Sequence, residues 1–370
     1  MASPPKPLTP ADVVFAEATP HQRLLSWELN GVSWAPPMTI AQYTQRETTL
    51  SETALSANGG TRYCVLHPRG DPETIVSACE VTRKKGVVAD AEGVREVEGY
   101  AIASVFTNPD YRGQGLAGYL LKKVQEMVDA TAEFGALYSD IGREYYTRLG
   151  WKDFRSAQAL LTTVETKGGE EELVLPGVEG AVELIGEDEA AALCEKDVAA
   201  VKARLGRERD GAATTRIAFL PTPEQLRWHF ARDRYMCHRL LGREVVHRGA
   251  RTADGAAWIL WDHDLREKKI KVLRIVTGEA DGEEKRRRDV RALLLAALAE
   301  ARDWDLQKVL VWAPSAEQTA AVGEIWRELG PRVHVALEER EDGSIPSLRW
   351  RGDKALDGVV WEDNEYYAWC

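Results

Sequence analysis

A chain of 370 residues is long enough for two ordinary domains, each with its own core. Its 44% hydrophobic and 29% charged residues are those of a soluble globular protein, and no apolar run approaches the ~20 residues of a membrane span. The net charge of −11 argues against nucleic acid as the main partner, because phosphate binding calls for a basic face.

The opening MASPPKPLTPADV carries neither an apolar signal core nor an Arg-rich amphipathic pattern, so no targeting segment is expected and the implied location is cytoplasmic. DVVFAEATP alternates as a strand. PHQRLLSWELNGVSW and TIAQYTQRETTLSETAL then space their apolar residues as helices, the second with Thr39 as N-cap. TRYCVLHP, TIVSACEVTRKKGVVA and, after the turn-rich DAEGVREVEG, YAIASVFT read as three strands of an antiparallel meander. GLAGYLLKKVQEMVDATAEFG is a helix with Leu116, Leu120, Leu121, Val124 and Val128 on one face. ALYSDIG is a strand, REYYTRLG a short helix, and FRSAQALLTTVE the strand that closes this half.

TKGGEEELVLPGVEG has no strong period and marks a boundary. Beyond it come helices at GEDEAAALCEKDVAAVKARL and TPEQLRWHFARDRYMCHRLL, then strands at GAAWILWDHD and KIKVLRIVT. The helix RRDVRALLLAALAEARDW, the strand KVLVWAP, the helix EQTAAVGEIWRELG and strands near VHVALEER and SLRW complete the order. Element order, with no sequence identity, makes this half a second copy of the first. The basic cluster EEKRRRDVR is flanked by acids and reads as a solvated helix start. Five scattered cysteines without a C-x-x-C suit reduced thiols better than disulfides or a metal site, and the seven histidines form no triad-like pattern.

TNPDYRGQGLAGYLLKKV, residues 107–124, carries the chemistry. Gly113, Gly115 and Gly118 spell the dinucleotide fingerprint G-x-G-x-x-G, but that fold wants its first strand directly against the glycines and an acid about 20 residues on. Here the glycines follow an antiparallel meander, and Asp140 stands 27 residues after Gly113. A strand, the loop NPDYRGQG and the helix LAGYLLKKV instead aim successive backbone N–H groups and a positive helix end at one point, a cradle for pyrophosphate.

VFTNPDYRGQGLA resembles the pyrophosphate-binding motif of the GNAT superfamily of acetyl-CoA-dependent N-acetyltransferases. YYTRLGW resembles that superfamily's later Tyr-x-x-Leu-Gly-aromatic motif, and the two lie one helix and one strand apart, as the family has them. The likeness covers about residues 60–160. It implies an α/β (α+β) GNAT fold with a mixed, mostly antiparallel sheet over 1–165, a linker at 166–182 and a second GNAT-like domain over 183–370. It also implies acetyl-CoA as co-substrate and no metal. Val105, Phe106 and Thr107 would hold the pantetheine arm along a splayed strand, and Arg112, Gly113, Gln114, Gly115 and Ala117 the pyrophosphate. Ser139 stands where the family often has Asn, a departure that puts its role in doubt.

Tyr146 matches the motif tyrosine, implied to assist the departing CoA sulfur as general acid, against the plainer reading of an aromatic packing a short helix. A protonated amine needs a base, for which Glu98 and Glu80 are open alternatives, each also readable as a solvent-facing strand carboxylate. The tail stretches SIPSLRWRG and VVWEDNEYYAWC resemble the fungal L-lysine N6-acetyltransferase family, which implies the N6 amine of free L-lysine as acceptor. Glu80, Asp262 and Glu365 are the carboxylates offered for that acceptor, with a strap closing a core the equal alternative for the tail. Another small amine, or an acyl-CoA-binding module without catalysis, stays open.

Overall fold

The computed structural model describes residues 6–164, 180–209, 214–278, 282–352 and 356–369; most of the linker expected at 166–182 therefore lies outside the described residues. The first half runs β1 (Val13–Glu17), α1 (Pro20–Trp34), α2 (Ile40–Ser51), β2 (Thr61–Pro68), β3 (Ser77–Asp90), β4 (Gly93–Thr107), α3 (Leu116–Val128), β5 (Phe134–Ser139), α4 (Glu144–Thr147), β6 (Lys152–Asp153) and β7 (Ala157–Thr163). The second runs β8 (Val182–Ile185), α5 (Glu187–Arg207), β9 (Thr215–Phe219), α6 (Pro223–Leu241), β10 (Gly249–Thr252), β11 (Trp258–Asp264), β12 (Lys269–Val276), α7 (Glu283–Asp303), β13 (Lys308–Trp312), α8 (Ala316–Leu329), β14 (Val333–Glu339), β15 (Ile345–Trp350) and β16 (Val359–Trp361).

Thr19 and Thr39 start α1 and α2 through capping boxes with Gln22 and Gln42, which satisfy otherwise orphaned first-turn donors. The five apolar residues expected on one face of α3 are all buried. β4 begins earlier than the sequence suggested: only Ala91 and Glu92 turn, and Gly93–Glu98 is already strand. Its charges alternate across the ribbon, with Arg95 bonded to Asp90 and Glu133 on one face and Glu96 and Glu98 exposed on the other.

The two sheets follow one plan. The first is ordered β1-β2-β3-β4-β5-β15-β6 and the second β8-β10-β11-β12-β13-β7-β14. Along these orders each is antiparallel except for one pair, β4 with β5 and β12 with β13; off the first order, β16 lies parallel to β9. The sixth strand of each comes from the other half. β7, expected to close the first sheet, pairs with β13 and β14, while β15 returns between β5 and β6. β9 crosses as well, lying antiparallel to the far end of β3 with β16 beside it. A core cluster that includes Phe134, Ala136, Phe219, Trp312, Leu348 and Tyr367 belongs to both halves, so the interface is continuous interior.

Candidate functional site

β4 and β5 pair only from Gly99 to Ile102, opposite Phe134 to Leu137. Beyond that they diverge, and among the described residues the edge of β4 that faces away from β3 has no partner strand. The β3–β4 register shifts between Ala78 and Glu80, which places the extra residue of a bulge on β4. Ser104 in that bulge has φ +52°, a left-handed conformation that costs a non-glycine residue about 1 kcal/mol or more. Ala103 and Ser104 open into a cavity of about 810 Å³.

The glycine loop, residues 108–115, continues from this edge. Asn108 caps the turn Pro109–Tyr111, and Arg112 donates from Nε to the Thr107 carbonyl at 3.1 Å while its guanidinium lies over Phe106. Gly113 and Gly115 sit at φ +76° and +74°, and added Cβ atoms there would meet nothing within 4 Å; glycine is needed for the backbone angle, not for space. Gly115 caps α3 without a side chain, leaving the first-turn N–H groups, Ala117 among them, directed outward. Gln114 accepts from the Leu8 amide at 2.7 Å, a link to the N-terminal segment. An open strand edge followed by an uncapped, glycine-shaped helix start suits an extended phosphorylated arm.

The cavity lies where the halves meet. Tyr138 and Asp140 face Ser104 from β5, α1 and α2 supply Trp34, Tyr43, Arg46 and Glu47, and the second half supplies Asp264, Lys271, Trp312 and Arg340. Nine of the lining residues are acids and six are bases, a balance that favours a cationic guest. Glu80 is at the first-half wall, accepting from Trp27 Nε1 at 3.1 Å. Burial, reinforced by the nearby Glu47 carboxylate, pushes its pKa up to about 8. Glu47 itself is tied to Arg46. Across the cavity Lys271 holds Asp264 at 2.6 Å, and that ammonium outweighs burial to keep the Asp264 carboxyl below the ordinary range.

The other expected residues fall differently. Glu98 is exposed, ion-paired with Arg83 at 3.6 Å, and does not line the cavity. Ser139 is buried and its hydroxyl donates to the Gly142 carbonyl at 2.6 Å while accepting from the Ile141 amide; it closes its own turn rather than facing a cofactor. Phe106 and Thr107 stay registered with Ala78 and Ser77, so Val105–Thr107 retains an open edge opposite. Tyr146 does not line the cavity. It is packed edge-on to Tyr145, near Cys79 and Asp140, and burial raises its pKa well above the ordinary phenol. Such a hydroxyl keeps its proton and is available as a hydrogen-bond donor.

Asp262 and Glu365 do not line the cavity. Asp262 is buried, 3.6 Å from Nδ1 of the buried His229. Glu365 accepts from Arg274 at 2.5 Å and from the Ile275 amide at 3.0 Å. The tail thereby binds β12 beyond Val272, where pairing with β13 ends, and Tyr366 packs against Trp312. The splay that is open in the first sheet is plugged by the chain's own tail in the second. The strap alternative holds for Glu365 and Tyr367, although Tyr366 and Trp369 also reach the cavity wall.

Sequence reasoning missed a buried cluster behind this wall. His263 bonds Asp233 at 3.0 Å and Glu300 at 2.9 Å, and Arg248 reaches Asp233 at 2.6 Å. Burial alone would lower the His263 pKa; the two carboxylates overcome it and raise it to about 9. Asp233, Cys237 and His263 bring donor atoms within 4.8 Å of one another, the spacing of a metal group, but the guanidinium and the imidazolium already supply the positive charge. The three residues lie 4 and 26 apart on α6 and β11, so no local spacing announces them.

Comparison with known proteins agrees with the doubled sheet plan. Residues 167–370 match the family described as the LYC1 GNAT-like C-terminal domain. A lysine acetyltransferase of Yarrowia lipolytica is 20% identical over 92% of this chain and 95% of its own length. An uncharacterized protein of Saccharomyces cerevisiae is 22% identical, over 97% of this chain and 98% of its own. Among solved structures, a tandem GNAT protein from the clavulanic acid biosynthesis pathway superposes with a TM-score of 0.51 at 11% identity, covering 93% of this chain and all of the other. No helix among the described residues is long and apolar enough to cross a membrane.

Proposed function

The chain belongs to the LYC1 GNAT-like family, and we propose that it transfers the acetyl group of acetyl-CoA to the N6 amine of free L-lysine by direct attack. The observation that carries this reading is the open edge of β4, with strained Ser104 at its bulge and Glu80 in the wall of the same cavity. The Val105–Thr107 backbone and the Arg112–Ala117 loop would hold acetyl-CoA, which supplies an activated acetyl thioester. Glu80 then accepts the proton that the amine must lose. A lysine ammonium has a pKa of about 10.4, so a carboxyl near 8 is a far better match than an ordinary glutamic acid. Tyr146, which keeps its proton, donates a hydrogen bond to the sulfur as the C–N bond forms and the C–S bond breaks.

The acidic balance of the cavity and the name of the Yarrowia relative support lysine as the acceptor. The second half, its cleft filled by the tail, serves as the far wall of the acceptor site. Thiol release from acetyl-CoA with a panel of amines tests the reading. Turnover with L-lysine giving N6-acetyllysine is the expected result; turnover only with a polyamine would replace the acceptor, and acetyl-CoA binding without turnover on any amine would leave a binding module.

A further inference from the structure

The cations around the cavity are not equivalent. Arg46 is paired with Glu47, Lys271 with Asp264 and, more loosely, Lys269 with Glu267 at 3.7 Å. Arg232 lies in the field of Asp264 and Asp262, which outweighs its burial and raises its pKa. Arg266 also has no ion pair among the described residues, but it is exposed on the turn after β11; Arg340 is set apart by its partial burial and by what it touches. Its Nη2 donates to the Ser344 carbonyl at 3.0 Å and its Nη1 reaches Gln158 Oε1 at 3.5 Å, both neutral acceptors. Its Nε is inaccessible and has no hydrogen-bond partner among the described residues, and the guanidinium lies 4.0 Å from the Trp312 ring centroid.

Nine carboxylates line this cavity, yet none is within ion-pair distance of Arg340 among the described residues. The adjacent Glu339 turns away to Ser156, Arg143 and Arg155. Burial lowers the Arg340 pKa to about 10, the direction expected when a desolvated cation lacks an anion. A partly buried guanidinium stacked on an indole at a cavity wall keeps a second N–H on each of Nη1 and Nη2, with which it can receive a carboxylate. The phosphate loop is not part of this wall, so the anion in question belongs to the acceptor and not to the cofactor.

We infer that Arg340 binds the carboxylate of the acceptor and makes the cavity select an amino acid over a diamine of the same length. This rests on the proposed acetyl transfer and adds the residue that reads the end of the acceptor remote from the reacting amine.

The test pairs L-lysine with lysinamide and with 1,5-diaminopentane, which lack the carboxylate, on the full-length protein and on its Arg340→Gln and Arg340→Lys forms. The wild type should favour lysine by roughly ten- to a hundredfold in kcat/KM, the worth of a charged hydrogen-bonded pair. Arg340→Gln should lose that preference through KM for lysine, with kcat, the diamine rate and KM for acetyl-CoA within about twofold; Arg340→Lys should recover part of it. Equal wild-type use of lysine and lysinamide would overturn the assignment without touching the acetyltransferase reading. A rise in KM for acetyl-CoA alone, or an equal loss with all three amines, would overturn it too. If no amine is turned over, the transfer reading fails separately, and calorimetry decides Arg340: lysine binding that is lost with lysinamide and with Arg340→Gln supports it, and no lysine binding by the wild type refutes it.

Discussion

Replacing Glu80 by glutamine removes a titrating carboxyl while keeping its size and its ability to accept from Trp27. In the folded protein this carboxyl is held near 8, against an ordinary 4.5, because burial and Glu47 both disfavour its charge. The sign follows from proton counting: between pH 4.5 and 8 the folded state retains a proton that the unfolded state has released, so Glu80 makes stability fall as pH rises. Each tenfold change in proton affinity is worth about 1.4 kcal/mol. The penalty is therefore absent below pH 4.5, grows through neutrality and levels off above 8 at up to about 5 kcal/mol. Urea unfolding of both forms from pH 5 to 9 should show Glu80→Gln gaining on the wild type as pH rises, with the gain reaching a plateau near 8. The same substitution should lower kcat about a hundredfold or more and remove a rising limb centred near pH 8. A stability difference that stays constant across this range would show that Glu80 titrates normally. A kcat profile unchanged by the substitution would take it out of the chemistry.

Tyr146→Phe should reduce kcat about a hundredfold with KM for acetyl-CoA unchanged; because its hydroxyl has no hydrogen-bond partner among the described residues, calorimetric melting should not fall. Gly115→Ala puts a Cβ on a backbone at φ +74°, which should destabilise by about 1–2 kcal/mol and weaken acetyl-CoA binding in calorimetry; a much larger loss would mean a clash where open space is found. Asp233→Asn should cost about 3–5 kcal/mol in urea unfolding, because Arg248 and His263 lose the carboxylate between them.

The cofactor loop was legible because its chemistry is local: a strand end, two glycines and a helix start lie within twelve residues, and backbone angles do the work. The far wall of the cavity was not, because it is assembled by strand exchange. Alternation identifies Ala157–Thr163 and Ile345–Trp350 as strands, yet nothing in a period of two says which sheet a strand joins. Arg340 sits in the middle of a run of acids, Glu338-Glu339-Arg340-Glu341-Asp342, and reads as solvated charge; its ring partner Trp312 lies 28 residues earlier. The choice between Glu80 and Glu98 did leave a trace. Glu80 stands between apolar Cys79 and Val81 on a buried strand, whereas Glu98 shares an exposed face with Glu96. That contrast is a burial signal, and burial is what makes a carboxylate basic enough for an amine.

Two halves with one sheet plan would be expected to make two similar clefts, and the difference between them is physical. In the first sheet the edge beyond Ile102 has no partner strand among the described residues and opens into a cavity. In the second, Glu365 takes the Ile275 amide and pairs with Arg274, while Tyr367, buried completely, donates to the Phe219 carbonyl on β9. Polar backbone that would otherwise need a ligand or water is satisfied from within. The same tail presents Tyr366 and Trp369 to the first cleft, so the segment that fills the second cleft also lines the first. The tail is thus one element with two duties, and strap and cavity wall are two faces of a single aromatic segment.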